Sequence, residues 1–296
     1  MQSMKKSISL LIAIIVSLTA YSQEIISLYP EGVPNSKTSD VEETGADLGL
    51  YRDITEPTLE YIQPENPNGT AVIVIAGGGY GVIVYNGEGL NTAKSLAEKG
   101  ISAFVLKYRL PSDQIMEDKR IGPLQDAQQA IKYLRENAQK YGIDPNKIGI
   151  MGFSAGGHLA STAATHFEKS YIINEENTSL RPDFQILVYP VISMEDKMTH
   201  GGSRDNLIGK NPSESDIQLF SNDKQVNETT PKAWLTHAAD DKLVDVDNTI
   251  NYFQQLRKHN VEVEMHIFPK GDHGFIFRQP GWMNPLFDWF ARNQLL

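Results

Sequence analysis

The chain contains no cysteine. That single absence excludes disulfides, thiolate metal sites and cysteine nucleophiles. Positive charge is also scarce: 27 lysines and arginines stand against 37 aspartates and glutamates, a formal net charge of −10. An acidic surface argues against nucleic acid and anionic lipid as natural partners. The apolar run from Ile8 to Leu18, broken by Ser9 and Ser17, is shorter than the roughly 20 residues of a membrane span. Lys5 and Lys6 precede it and Ala20-Tyr21-Ser22 follows. This order of basic, apolar and small-x-small segments reads as a leader, residues 1–22, cleaved after Ser22. It predicts export to the periplasm or beyond, without stable membrane association; an uncleaved anchor is the alternative. No cysteine follows the cleavage point, so lipid attachment there is excluded. Internal repeats and low-complexity linkers are missing too, so residues 23–296 are expected to form one domain. Oligomeric state leaves no mark.

What is present is ordinary for a globular protein: 40% apolar and 22% charged residues, in a chain long enough for one large core. Residues 23–55 are polar and turn-rich, an arm with room for one edge strand. Alternation over 58–62 predicts a strand. Continuous β-branched or apolar runs at 71–75, 101–106, 148–151, 184–191 and 233–237 predict strands buried on both faces, and 261–268 the last strand. Between them, 88–98, 246–258 and 284–294 have helical character. Leu124, Ala127, Ile131, Leu134 and Ala138 recur at helical spacing, and Gly142 is placed to end that helix. Strands alternating with helices predict a mostly parallel sheet with helices on both faces. The segment 192–231 is polar and irregular, too short for its own core, and is expected to be a cap over the site.

A serine hydroxyl is a poor nucleophile at neutral pH. It needs a base, a group that orients the base, and donors for an oxyanion. Gly152-x-Ser154-x-Gly156 follows a predicted strand and opens a predicted helix, the context of a nucleophile elbow. A glycine-rich turn without chemistry is the bland alternative. Gly77-Gly78-Gly79 closes an earlier buried strand, where backbone N–H groups can approach a substrate oxygen. The glycines fit no G-x-G-x-x-G pattern and no P-loop lysine follows, so a phosphate loop is set aside. The N–H groups of Gly78 or Gly79, or both, with that of Ala155, are the candidate oxyanion hole. After such an elbow the order is serine, acid, histidine. His273 sits in a turn after the last predicted strand and is the candidate base. Asp240 and Asp241 both follow the strand at 233–237, and loop geometry favours Asp241. His237 reads as structural, as do His158 and His166; His200, in the irregular segment, is able to line a pocket. Tyr80 and Trp282 are candidate sugar-facing aromatics, with ordinary packing as the alternative.

Four segments together carry a resemblance: Ala76-Gly77-Gly78-Gly79-Tyr80, Gly152-Phe153-Ser154-Ala155-Gly156-Gly157-His158, His237-Ala238-Ala239-Asp240-Asp241-Lys242-Leu243-Val244 and Gly271-Asp272-His273-Gly274-Phe275. They resemble the bacterial acetyl xylan esterase-like and feruloyl esterase-like α/β-hydrolases, as do Leu28-Tyr29-Pro30-Glu31-Gly32-Val33-Pro34 and Lys107-Tyr108-Arg109-Leu110. The resemblance implies the α/β-hydrolase fold and a triad of Ser154, Asp241 and His273. It implies oxyanion donors at Gly78, Gly79 and Ala155, and neither a metal nor an organic cofactor. It also implies an acylated plant oligo- or polysaccharide as substrate, acetyl being the expected acyl group. Ala76 and Asp245 depart from many relatives, which have His or Pro at the first position and Pro at the second. A serine peptidase of the prolyl-oligopeptidase type shares these motifs, but too few residues precede the hydrolase core to form a propeller. A catalytically inactive carbohydrate-binding protein of this fold is the other alternative, and an intact triad argues against it.

Overall fold

Short apolar runs bounded by turns become the strands of one eight-stranded sheet. The computed structural model describes residues 23–296, so the expected leader and its cleavage site lie outside the described residues. The strands are β1 (Gln23–Ser27), β2 (Thr58–Ile62), β3 (Ala71–Ile75), β4 (Ser102–Lys107), β5 (Ile148–Phe153), β6 (Phe184–Val188), β7 (Lys232–Ala238) and β8 (Val263–Phe268). Their order across the sheet is β1-β2-β4-β3-β5-β6-β7-β8. β2 runs antiparallel to both β1 and β4, and all the other neighbours are parallel. This is the α/β-hydrolase arrangement expected from the motifs. Every residue of β3 is buried, which is why that strand reads as an unbroken Ala-Val-Ile-Val-Ile run rather than an alternating one.

The helices are α1 (Asn91–Ala97), α2 (Gly122–Glu136), α3 (Ser154–Thr165), α4 (Gly201–Ile208), α5 (Glu214–Phe220), α6 (Asp247–Lys258) and α7 (Asn284–Arg292). α2 buries Leu124, Ala127, Ile131 and Leu134 along one face. In α3 all residues are buried, and they are almost all small, so the helix can lie close against its surroundings. Among the described residues no helix is long and apolar enough to cross a membrane.

Two boundaries differ from expectation for local reasons. The strand expected over 184–191 stops at Val188, because Tyr189 adopts a left-handed φ of 37° and Pro190 has no N–H for a ladder. The helix expected from 88 becomes α-helical only at Asn91. Tyr85–Leu90 forms a π-helical turn, a rare conformation frequent at functional sites, and it buries the Glu88 carboxylate. The segment 192–231 carries α4 and α5, and its Met194, Leu207, Ile208 and Phe220 join the main hydrophobic core. Its polar surface therefore rests on an apolar underside. Asn248 ties it to α6 by accepting the N–H groups of Ile192 at 3.0 Å and Ser193 at 3.1 Å. The Lys-Tyr-Arg-Leu stretch after β4 is structural: Arg109 forms a buried ion pair with Asp126 at 2.7 Å and donates to Pro34 O at 2.7 Å, pinning the N-terminal arm.

Candidate active site

Strand register brings the two glycine motifs together. β3 and β5 are neighbours, with Ile75 opposite Gly152. Two residues further on, Gly77 lies beside Ser154, and a Cβ built on Gly77 would fall 2.9 Å from the Cβ of Ser154. The chain passes from β3 to β4 on one side and to β5 on the other. The site therefore opens at a topological switch point, at the carboxyl ends of the strands.

Ser154 occupies a left-handed backbone conformation, φ 52°, between an extended Phe153 and the first turn of α3. The flanking glycines are required by space. A Cβ on Gly152 would lie 2.2 Å from Gly156 O, and one on Gly156 2.4 Å from Ile75 O. The turn throws the serine side chain off the end of β5 toward the loops that follow β7 and β8. His273 Nε2 lies 2.9 Å from Ser154 Oγ, and His273 Nδ1 lies 2.8 Å from Asp241 Oδ2. With Nδ1–H donating to the carboxylate, Nε2 is left as an acceptor for the serine proton. Asp241 is completely buried in its side chain. Burial opposes its ionisation, but hydrogen bonds from His237, His273 and the Val244 N–H win and hold its carboxyl well below the ordinary range. It is a fixed anion, suited to hold one imidazole tautomer and to stabilise an imidazolium.

The choice between the neighbouring aspartates is decided by direction. Asp240 is exposed and accepts the backbone N–H of Asp272 at 2.8 Å, so it grips the histidine loop without touching the imidazole. His237, which reads as merely structural in the sequence, does more. Its Nε2 meets Asp241 Oδ2 at 3.0 Å, while Thr249 Oγ1 lies 2.7 Å from its Nδ1. The strand-end histidine thus supports the acid from below. Its signal is the spacing of four between a strand-end histidine and the acid.

The oxyanion candidates form a tight turn beside the serine. Gly78 has φ 129°, and a Cβ there would lie 2.0 Å from Val82 O, so only glycine fits. Among the described residues the N–H groups of Gly78 and Gly79 donate to no protein acceptor. The N–H of Ala155 opens the first turn of α3, where helical N–H groups have no intrahelical partner. α4 braces this turn: Asn206 donates to Gly79 O at 2.8 Å. His200 caps α4 through Ser203 N–H, and its ring edge lies 3.7 Å from where a Gly79 Cβ would be. Burial and the nearby His273 push the His200 pKa down, so it presents a neutral ring at the rim. The irregular segment thus places a histidine beside the oxyanion turn.

Two sequence-based candidates are corrected. Tyr80 is 2% exposed, and its hydroxyl lies 2.8 Å from His158 Nδ1. Trp282 is 9% exposed and packs edge-to-face on Phe153 and Phe275, with ring centroids 6.1 and 6.2 Å away. Both are core residues, not sugar platforms. Tyr80 is enclosed by the rings of Tyr108 and His158, and Trp282 by those of Phe153 and Phe275. His158, pushed down to about 4 by burial, and His166 are buried and structural, as expected. Glu88 gave no sequence signal and lies directly beneath the site, where it accepts the Gly77 N–H at 2.6 Å.

The BD-FAE family matches residues 59–256, a stretch that includes the elbow and the acid loop. An acetylxylan esterase of Xylanibacter ruminicola is 39% identical over 218 residues, 72% of this chain and 42% of that protein. Endo-1,4-beta-xylanase B of Butyrivibrio fibrisolvens is 35% identical over 216 residues, 72% of this chain and 34% of that protein. The chain thus spans less than half the length of these two relatives. The crystal structure of an acetyl ester-xyloside bifunctional hydrolase from Caldicellulosiruptor lactoaceticus superimposes with a TM-score of 0.77 at 33% identity, covering 92% of this chain and 97% of the other. Since the family match takes in well over half of the sequence and this structural match nearly all of it, the chain belongs to the BD-FAE family and has the α/β-hydrolase fold.

Proposed function

We propose that the chain is a serine carboxylic ester hydrolase that removes short acyl groups, acetyl first among them, from acylated plant polysaccharide such as xylan, and that it acts after export. The observation that carries the reading is the unbroken chain from Ser154 Oγ through His273 to the buried Asp241, with contacts of 2.9 and 2.8 Å. In the first half-reaction His273 Nε2 takes the serine proton as Oγ attacks the ester carbonyl. The N–H groups of Gly78, Gly79 and Ala155 receive the oxyanion, each such donor being worth roughly 3–4 kcal/mol in a comparable enzyme. Nε2–H then protonates the departing sugar oxygen. Water, deprotonated by the same nitrogen, attacks the acyl-enzyme, and the acid leaves with Ser154 restored.

The substrate class rests on relatives whose names specify acetylxylan and acetyl ester-xyloside chemistry. The xylanase relative extends well beyond the matched region, so glycosidic cleavage is not part of the proposal. Export rests on the leader pattern in residues 1–22. A polar cap surface supports short acyl groups, since long chains need extended apolar lining. Acetate release from native acetylated xylan, with Ser154→Ala as control, tests the reading. Acetate should appear with the wild-type chain and fall by at least about a thousandfold in the variant. Ferulate release without acetate would reassign the acyl group. Release of neither, or activity surviving in Ser154→Ala, would defeat the proposal.

A further inference from the structure

The triad and the oxyanion turn leave one buried carboxylate of the site without a role. Glu88 is 5% exposed. Its Oε2 accepts the Gly77 N–H at 2.6 Å and its Oε1 accepts the Tyr189 hydroxyl at 2.9 Å. A carboxylate enclosed with only neutral donors is costly and is kept where it is used. Both of its contacts lead to the reaction. Gly77 precedes Gly78 in the oxyanion turn, and a Cβ on Gly77 would sit 3.0 Å from Glu88 Oε2 and 2.9 Å from Ser154 Cβ. Tyr189, held at φ 37°, packs its ring edge-on against His273 with centroids 4.8 Å apart.

We propose that Glu88 is a positioning residue of this reaction: one oxygen fixes the oxyanion turn through Gly77, the other fixes His273 through Tyr189, and its charge favours the imidazolium that forms at His273. The inference rests on the ester-hydrolase reading. The titratable groups facing Glu88 are Tyr189 after β6, Tyr108 after β4 and His273 after β8. The Tyr108 hydroxyl already donates to Ala76 O at 3.1 Å, and burial pushes both phenols far above neutral pH. Burial also pushes the Glu88 carboxyl up, against the pull of its two donors and of His273. As an anion Glu88 satisfies both donors with the geometry observed. With both phenols neutral, the anions near the imidazole are Glu88, the acid Asp241 and Asp272, whose Oδ1 accepts the His273 N–H at 2.9 Å; His200 and Arg278 are the other titratable or charged groups beside it.

Glu88→Gln separates charge from shape. Its amide oxygen can keep the Gly77 N–H, and its amide nitrogen can donate to Tyr189. With p-nitrophenyl acetate, kcat should fall about tenfold or more while KM stays within about twofold. The acid limb of kcat/KM against pH should move down by about half a unit or more, because the imidazolium loses a neighbouring anion. Titration of the His273 ring by NMR should show the same downward shift without any substrate. Tyr189→Phe keeps the ring on His273 but releases Glu88, and should lower kcat by about threefold. A Glu88→Gln enzyme with kcat within about twofold of wild type would overturn the proposal. So would lower activity with an unmoved His273 titration, which would mean packing alone. If Glu88→Gln does not fold, Tyr189→Phe decides, and unchanged kcat there overturns the idea. A wild-type chain inactive on p-nitrophenyl acetate would defeat the ester-hydrolase reading, while the His273 titration would still judge the charge of Glu88.

Discussion

The acid loop after β7 and the histidine loop after β8 are neighbours built on opposite principles. Asp241 is held almost wholly by its own segment. Oδ1 accepts the N–H groups of Leu243 at 2.9 Å and Val244 at 3.0 Å, and Oδ2 receives His237 from four residues back. The His273 backbone has local contacts, its N–H donating to Asp272 Oδ1 at 2.9 Å, but its ring has no such local frame. Both of its ring nitrogens are bonded to other segments. Its backbone is gripped from outside, with Asp272 N–H on Asp240 and Lys242 N–H on Asp272 Oδ1 at 3.1 Å. Arg278 closes the loop by donating to Gly271 O at 2.8 Å and His273 O at 3.0 Å. The acid is therefore preorganised by short-range hydrogen bonding in a buried place, and the base is positioned by contacts across the fold. The acid should be intolerant of any change, whereas the grips on the base should each be worth little.

The sharpest test is Asp241→Asn. Loss of the charge and of the correct tautomer should lower kcat on p-nitrophenyl acetate by about 10⁴-fold, as the equivalent change does in a serine protease. A loss below tenfold would place the acid elsewhere. Next is His237→Phe, which leaves the buried carboxylate one donor short. It should lower kcat by about 10- to 100-fold and destabilise the fold by about 1–3 kcal/mol in urea unfolding. A variant with full stability would show that His237 is not part of the acid's frame. Asp240→Ala removes one grip on the histidine loop and should lower kcat by less than about tenfold, with stability within about 0.5 kcal/mol. If it exceeded Asp241→Asn in effect, the comparison would be reversed.

The pH dependence of stability is the mildest of these tests. The folded Asp241 carboxyl titrates below its unfolded value, so its contribution is fully present above about pH 4 and is lost as pH falls further. The stability gap between wild type and Asp241→Asn should therefore shrink with acidification below about pH 4, by at most about 1.4 kcal/mol per pH unit. A gap that stayed constant down to about pH 2 would mean that the carboxyl is not depressed by folding.

Much of the fold is legible in one dimension because it depends on period and punctuation. The Ala-Val-Ile-Val-Ile run of β3 and the spaced apolar face of α2 appear in the structure where the pattern puts them. The elbow is legible because steric demand leaves glycine at 152 and 156. Other features depend on what lies across the fold. Tyr80 and Trp282 look like surface aromatics until the packing of His158 and Phe275 encloses them. Polar residues of the 192–231 segment hide its apolar underside, since its buried apolar side chains fall in short groups, such as Leu207 and Ile208, separated by polar stretches. Asp240 and Asp241 are chemically identical in sequence, and only the direction of each side chain separates a loop clamp from the partner of His273.

Sequence alone determined the parallel α/β architecture, the elbow serine and a histidine after the last strand, because hydrophobic period, glycine sterics and motif order are properties of short segments. Tertiary structure alone decided that Gly77 lies beside Ser154 and that Glu88 sits beneath both the oxyanion turn and Tyr189. Those relations depend on strand register and on which strands are neighbours. They join residues far apart in the chain, and no local pattern encodes a distance between them.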